Sequence, residues 1–280
     1  MRNAQPRQLL RFISTIAATG LGVFMATGAA ASQSDWFVTE GAKIRLISLP
    51  SADGKTIDAG LQIDLDKGWK TYWRSPGASG LPPQLDFSQS SNIASTKLDY
   101  PTPMTFGSNE NLTVGYNIPV TFPISIEPLF GDRPVNIKVA GIIGICAEVC
   151  IPVQFTLSLV EEGNGQSTRD VAAALFQARA NLVGQQRPDF QVIAATVSNR
   201  VLQIDATVPA GTQHSTALVE GPSTWYLTPA KATTINGSNA RYEVSLKDIP
   251  SDAAPEETEL TVTLVSDGIG VETVLVPTRK

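Results

Sequence analysis

Histidine and cysteine are almost missing from this sequence of 280 residues: it has one histidine, His214, and two cysteines, Cys146 and Cys150. A single imidazole excludes a metal centre built from several histidines. His214 stands in a polar loop, without neighbouring ligand residues, and reads as a surface side chain. Long apolar runs are missing as well. Beyond the first 31 residues, no stretch approaches the ~20 apolar residues that a membrane-spanning helix needs. The strand–helix–strand alternation of a parallel α/β fold is also lacking, which sets aside a thioredoxin-like architecture. Positive charge is scarce: 21 Lys and Arg face 26 Asp and Glu. Without the three arginines of the first 31 residues the balance is 18 against 26, a net charge of −8. An acidic chain of this kind is a poor partner for nucleic acid or for an anionic membrane.

Residues 1–31 read as a secretory signal peptide. Arg2, Arg7 and Arg11 form a positive start, and Phe12 to Met25 is apolar. Ala29-Ala30-Ala31 offers the small residues of a cleavage site before Ser32. A membrane anchor is the alternative, but Ser14, Thr15, Thr19, Gly20 and Gly22 dilute the run. Export places the mature chain in an oxidising compartment.

What the sequence has in quantity is period-two alternation cut by glycine and proline. That pattern predicts an all-β fold of two sandwich domains. The first domain spans 36–160, with strands expected over 42–49, 56–66, 95–100 and 118–126. Between the last two lies a polar loop, Pro101 to Tyr116, read as having no structure of its own; loops of that length are commonly functional. Residues 161–186 are a linker with one short helix. Ser167 is a candidate cap, Ala172 to Val183 an Ala- and Leu-rich helix expected to pack between the domains. The second domain spans 187–280, with short strands expected over 190–197, 201–208, 217–220, 240–246 and 259–265.

Both cysteines lie in Gly141 to Pro152. Val135, Ile137 and Val139 alternate before that stretch and Val153, Phe155, Leu157 and Leu159 after it, so two half-buried strands flank it. Ala147, Glu148 and Val149 then form the turn, and Cys146 faces Cys150. Facing Cα atoms on antiparallel strands lie about 4.5 to 5.5 Å apart, within the roughly 4.4 to 6.8 Å that a disulfide spans. The turn lacks the glycine that three-residue hairpin loops favour, so an irregular turn is expected. Upstream, Gly68 to Gly77 reads Gly-Trp-Lys-Thr-Tyr-Trp-Arg-Ser-Pro-Gly, and Trp69, Tyr72 and Trp73 suggest an aromatic platform beside a loop.

Three chemistries suit such a pair. A structural bridge across five residues stabilises by only about 2 kcal/mol in the chain-entropy account, and a sandwich of this size builds its own core. Two thiolates suit Cu(I), and Cys-x3-Cys followed by proline is similar to the copper motif of Sco-type proteins, a reading that implies a copper-tolerance role. Thiol–disulfide exchange is the third.

The Trp-Tyr-Trp-Arg-x-Pro-Gly stretch, the Phe106-Gly107 loop and the late cysteine hairpin occur in the order found in the N-terminal domain of the DsbD/ScsB thiol:disulfide interchange family. The resemblance covers roughly residues 40 to 160. It implies an immunoglobulin-like sandwich, extended here to both domains. It also implies a periplasmic disulfide reductase or electron relay, with no cofactor beyond the redox-active Cys146–Cys150 pair. Cys150 would attack a partner's disulfide and Cys146 would resolve it. Thr105 and Phe106 would cap the pair, with Trp69, Tyr72, Trp73 and Glu148 around it. The implied partners are a membrane-embedded donor of DsbD/CcdA type and periplasmic thioredoxin-fold proteins, including those of cytochrome c biogenesis. DsbD itself has a longer spacer between its cysteines and acidic residues beside its cap, where this sequence has Pro103, Met104 and Thr105. It also continues into a membrane and a thioredoxin domain; their lack here implies that the donor is a separate protein. A second sandwich is closer to ScsB, which brings copper tolerance with it.

Glu148 lies inside the turn, and a nearby carboxylate disfavours a thiolate. Lys70 or Arg74 would reach the pair only through folding. The attacking thiol is therefore expected to be weakly acidified, as suits a reductant. Alkylation rates measured against pH should give a pKa above about 6; a lower value overturns the expectation.

Overall fold

Alternation decides which residues go inside. Val153, Phe155, Leu157 and Leu159 are buried, while Gln154, Thr156 and Ser158 between them are exposed. A computed structural model describes residues 1, 32–50, 55–77, 80–107, 112–161, 169–225 and 227–280. Residues 2–31, expected to be a signal peptide, and residues 162–168, including Ser167, lie outside the described residues.

The strands in chain order begin with β1 (Ser32–Gln33), β2 (Phe37–Thr39), β3 (Ala42–Pro50) and β4 (Ile57–Leu65). Next come β5 (Lys70–Tyr72), β6 (Gln84–Asp86), β7 (Ile93–Leu98) and β8 (Met104–Phe106). Then follow β9 (Thr113–Tyr116), β10 (Val120–Pro128), β11 (Val135–Cys146) and β12 (Cys150–Glu161). One helix, α1 (Arg169–Ala180), precedes β13 (Gly184–Gln185), β14 (Gln191–Ser198), β15 (Val201–Thr207) and β16 (Ser215–Glu220). The chain ends with β17 (Ala230–Asn236), β18 (Asn239–Ser245), β19 (Leu260–Ser266), β20 (Ile269–Leu275) and β21 (Thr278–Arg279).

The N-terminal body is a sandwich. One sheet runs β1-β3-β4-β10-β7, with β2 beside β3. The other runs β12-β11-β5-β9-β8, with β6 beside β11. Their inner faces share a core that includes Ile44, Leu61, Phe122, Ile137, Ile145 and Trp73. Burying one such side chain stabilises the fold by about 1.5–3 kcal/mol. The C-terminal body is one nine-stranded sheet, β13-β20-β19-β16-β17-β18-β15-β14-β21, wrapped around its own core of Phe190, Ile204, Tyr242, Val262 and Leu264. It turns the corner at β17, where a bulge falls between Ala232 and Thr234. The all-β expectation therefore holds.

Two local expectations need correction. The helix starts three residues earlier than read and packs not between the bodies but on the outer face of the first sheet, where Val171 and Leu175 meet Ile47. Arg179, near its end, is pinned by Asp58 and Asp99. The segment Pro101 to Tyr116 is not structureless: it carries β8 and β9, paired through Met104↔Gly115 and Phe106↔Thr113. Residues 108–111 lie outside the described residues.

Four buried or half-buried tyrosines, Tyr72, Tyr100, Tyr116 and Tyr242, have phenol pKa values raised by burial, the largest cause in each. Their folded values exceed the unfolded value near 10, so the stability they contribute is complete below about pH 10 and is lost as pH rises through the folded values. Chemical denaturation at successive pH values should show stability falling above pH 10; a flat profile there overturns the assignment.

Candidate functional site

The hairpin β11–β12 carries the cysteines as its last facing pair, Cys146↔Cys150, with twelve residue pairs in unbroken register. They form a disulfide, with Cα atoms 4.2 Å apart. None of Ala147, Glu148 and Val149 has a positive φ. All three are exposed. The two cysteines differ in access: Cys146 is fully buried, while Cys150 is exposed.

The short strand β5 lies on the other side of β11, pairing Thr71 with Ile145 and Lys70 with Cys146. Alternation then puts Lys70 and Tyr72 on the face of the sulfurs and Thr71 on the opposite face. Thr71 Oγ1 donates to the Gly144 carbonyl at 2.9 Å, fastening β5 to the hairpin. Tyr72 is 2% exposed. Its phenol oxygen lies 2.7 Å from Cys146 Sγ and 2.6 Å from Cys150 Sγ. Disulfide sulfurs carry no hydrogen, so the phenol is the donor, its single hydrogen shared between the two. Burial raises its pKa and keeps it protonated.

The ring reaches this position because Gly144 has no side chain. A Cβ there would come within 2.6 Å of Tyr72 Cδ2 and Cε2. On its other side the ring meets the loop after Pro76, where a Cβ on Gly80 would lie 2.9 Å from Tyr72 Cδ1. The buried phenol is thus held between the hairpin and the Pro-Gly loop.

The remaining candidate residues separate. Trp73 points into the N-terminal core, fully buried, and its Nε1 has no partner among the described residues. Trp69 packs under Gly41 and against the same core. Neither forms a platform at the sulfurs; strand alternation turns Trp73 away from Tyr72. Glu148 is exposed in the turn. Thr105 and Phe106 are half-buried in β8. Phe106 is level with Thr113, beyond the Gly115–Tyr72 pair and on the side away from Lys70 and the sulfurs. Arg74 leaves the site for the C-terminal body, whereas Lys70 comes level with Cys146. The resemblance puts Tyr72 around the pair without a role as donor, and the sequence reading does not single out Gly144 or Gly80. Period two in Lys-Thr-Tyr would have given the shared face, but nothing local gives the strand's neighbour. His214 is 94% exposed in the C-terminal body, 3.8 Å from Asp267.

Residues 42–162 match the family model described as "Thiol:disulfide interchange protein DsbD, N-terminal". The crystal structure of the N-terminal periplasmic domain of ScsB from Proteus mirabilis is similar over 90% of this chain and 100% of that one, at 21% identity and a TM-score of 0.72. At that identity the likeness speaks for the fold. A biofilm-associated protein's BSP domain covers 91% of this chain and 53% of its own at 12% identity, but its TM-score of 0.24 supports no argument. Among curated protein sequences none matches.

A phenol donor helps most when one sulfur is leaving as a thiolate, a far better acceptor than a disulfide. Tyr72→Phe should slow reduction of the Cys146–Cys150 bond by glutathione by about 2- to 10-fold, the net worth of one hydrogen bond. An unchanged rate would show that the contact is only packing.

Proposed function

We propose that this chain, whose residues 42–162 form a domain of the DsbD N-terminal family, is an exported thiol–disulfide electron relay. The observation that carries this function is the pairing of one exposed and one fully buried cysteine under a shared phenol donor. A bond meant to open needs one sulfur that a partner can reach. It also needs a second sulfur that only the first can reach.

In the reduced chain, the Cys150 thiolate attacks one sulfur of a partner's disulfide. A Cys150–partner bond forms, and the partner's other sulfur leaves as a thiolate. Cys146, deprotonated, then attacks Cys150 Sγ. The Cys146–Cys150 bond closes and the partner's second thiolate is released. Two electrons have passed to the partner, whose thiolates take up two protons. A membrane-embedded dithiol donor of DsbD/CcdA type reverses both steps on this chain, and periplasmic thioredoxin-fold proteins are the acceptors.

The protein's own residues have distinct parts in these steps. Tyr72 donates to whichever sulfur carries negative charge. Lys70, level with Cys146, favours the thiolate of the buried cysteine. Glu148 opposes thiolate formation from the turn. Phe106 forms the far rim of the face that carries Tyr72, while Thr105 turns to the opposite face with Val114. In this function residues 36–160 are the redox domain, 161–186 the connection, and 187–280 the C-terminal body that supports it.

The Cys146→Ser variant cannot complete the second step, so it should accumulate a mixed disulfide through Cys150 with an exported thioredoxin-fold protein. Cys150→Ser should trap far less, because Cys146 is out of reach. Absence of any adduct, or equal trapping by both variants, would rule out the relay.

A further inference from the structure

The segment that carries Tyr72 does not end in the N-terminal body. Two residues on, the Arg74 guanidinium reaches the C-terminal sheet. Its Nε lies 3.1 Å from both carboxylate oxygens of Glu220, and its Nη2 lies 2.6 Å from Glu220 Oε1. The same Nη2 also donates to Glu272. The guanidinium stacks on the Trp73 ring, 4.3 Å from its centroid. All three charged side chains are partly buried, with 30%, 23% and 32% of their side-chain surface exposed.

The carboxylates belong to a built surface. Glu272 also accepts from Thr263 Oγ1 at 2.9 Å, and Thr263 is fully buried. Thr263 pairs with Glu272 on one side and Leu218 on the other. Leu218 belongs to the N-terminal core, 3% exposed. So one row of the C-terminal sheet, Leu218–Thr263–Glu272, with Glu220 two residues along, lies against the N-terminal body. Two carboxylates facing one point need a cation between them, and Arg74 supplies it in the forked geometry that a lysine cannot reproduce.

The backbone between Arg74 and Tyr72 has little freedom. Trp73 N–H donates to the Val114 carbonyl at 3.1 Å, and Val114 N–H donates to the Pro76 carbonyl at 3.1 Å. The Trp73 ring is locked in the core. A shift at Arg74 therefore passes to Tyr72 on one side and to the Pro76–Gly80 loop on the other, and both hold the phenol in place.

We propose that Arg74 is a positioning residue, through which the C-terminal body fixes Tyr72 on the sulfurs and so sets the reactivity of the Cys146–Cys150 bond. The biological use of that reactivity rests on the relay function above; the coupling itself does not. Arg74→Ala would leave two partly buried carboxylates facing each other, so the test changes the carboxylates. E220Q and E272Q are combined in the full chain, with and without Tyr72→Phe, and reduction of the disulfide by glutathione is timed. Circular dichroism and thermal unfolding check the fold.

With Tyr72 present, the double change should slow reduction by about 2- to 10-fold, at most the loss of the phenol's hydrogen bond itself. In the Tyr72→Phe background the same change should alter the rate by no more than about twofold, the scatter of uncoupled sites. An unchanged rate with Tyr72 present, or equal slowing in both backgrounds, overturns the proposal, whatever happens to thermal stability. Should the double variant fail to fold, Arg74→Lys goes through the same cycle, keeping the charge and losing the fork. Glutathione needs no docking surface, so the cycle reads out even if the chain exchanges with no thioredoxin-fold protein.

Discussion

One phenol oxygen within hydrogen-bond reach of two sulfurs is the contact around which the site is built. It dictates much of what surrounds it. Tyr72 must sit on a strand level with the tip of the β11–β12 hairpin, and the pairing of Lys70 with Cys146 puts it there. The ring must lie flat over the hairpin, which only a glycine at position 144 permits. The contact is also unequal between states. A disulfide sulfur is a weak acceptor, and a thiolate is a strong one. The same donor therefore holds the open bond more strongly than the closed one. That is the direction a relay requires, because it lowers the barrier to opening without requiring strain in the resting state.

The scaffold can leave this bond free for chemistry because its stability lies elsewhere. The N-terminal core has fully buried Ile44, Ile63, Phe122, Ile124 and Ile137 among many others. Each contributes roughly as much as the ~2 kcal/mol expected from a five-residue disulfide loop. Opening the bond removes little of what keeps the sandwich folded. The long, regular hairpin holds both sulfurs level whether or not they are joined, since its twelve-pair ladder ends at them.

How much of this was legible in the sequence depended on range. Period two over Val135 to Leu159 gave the hairpin, its turn and the facing cysteines, because a strand's face is set by its own residues. Apolar alternation likewise placed β3, β4, β15 and β18. The pairing of β5 was not legible. It has three residues, and its two neighbours come from beyond position 110 in the chain, so the role of Tyr72 as donor stayed hidden inside an aromatic-rich stretch. Trp73 looked equivalent to Tyr72 and is its opposite, since adjacent strand residues face opposite ways. The link from Arg74 to Glu220 and Glu272 spans 146 and 198 positions. No local pattern encodes such a distance. The helix was placed a few residues late, and its packing was misjudged, because its own stripe says only that Val171 and Leu175 are buried, not against which sheet.

The two bodies meet through chemistry that explains why they are not interchangeable beads. An apolar contact alone, Leu218 in the neighbouring core, would tolerate sliding. An ion cluster of one guanidinium and two carboxylates does not, because a partly buried charge displaced from its partner costs more than the pair gains by forming. The cluster is thus a poor source of net stability and a strong fixer of register. Its cation stands two residues from the one side chain whose placement the sulfurs depend on. A body with no thiol of its own thereby acquires a say in thiol chemistry, by holding the end of the strand that carries the donor.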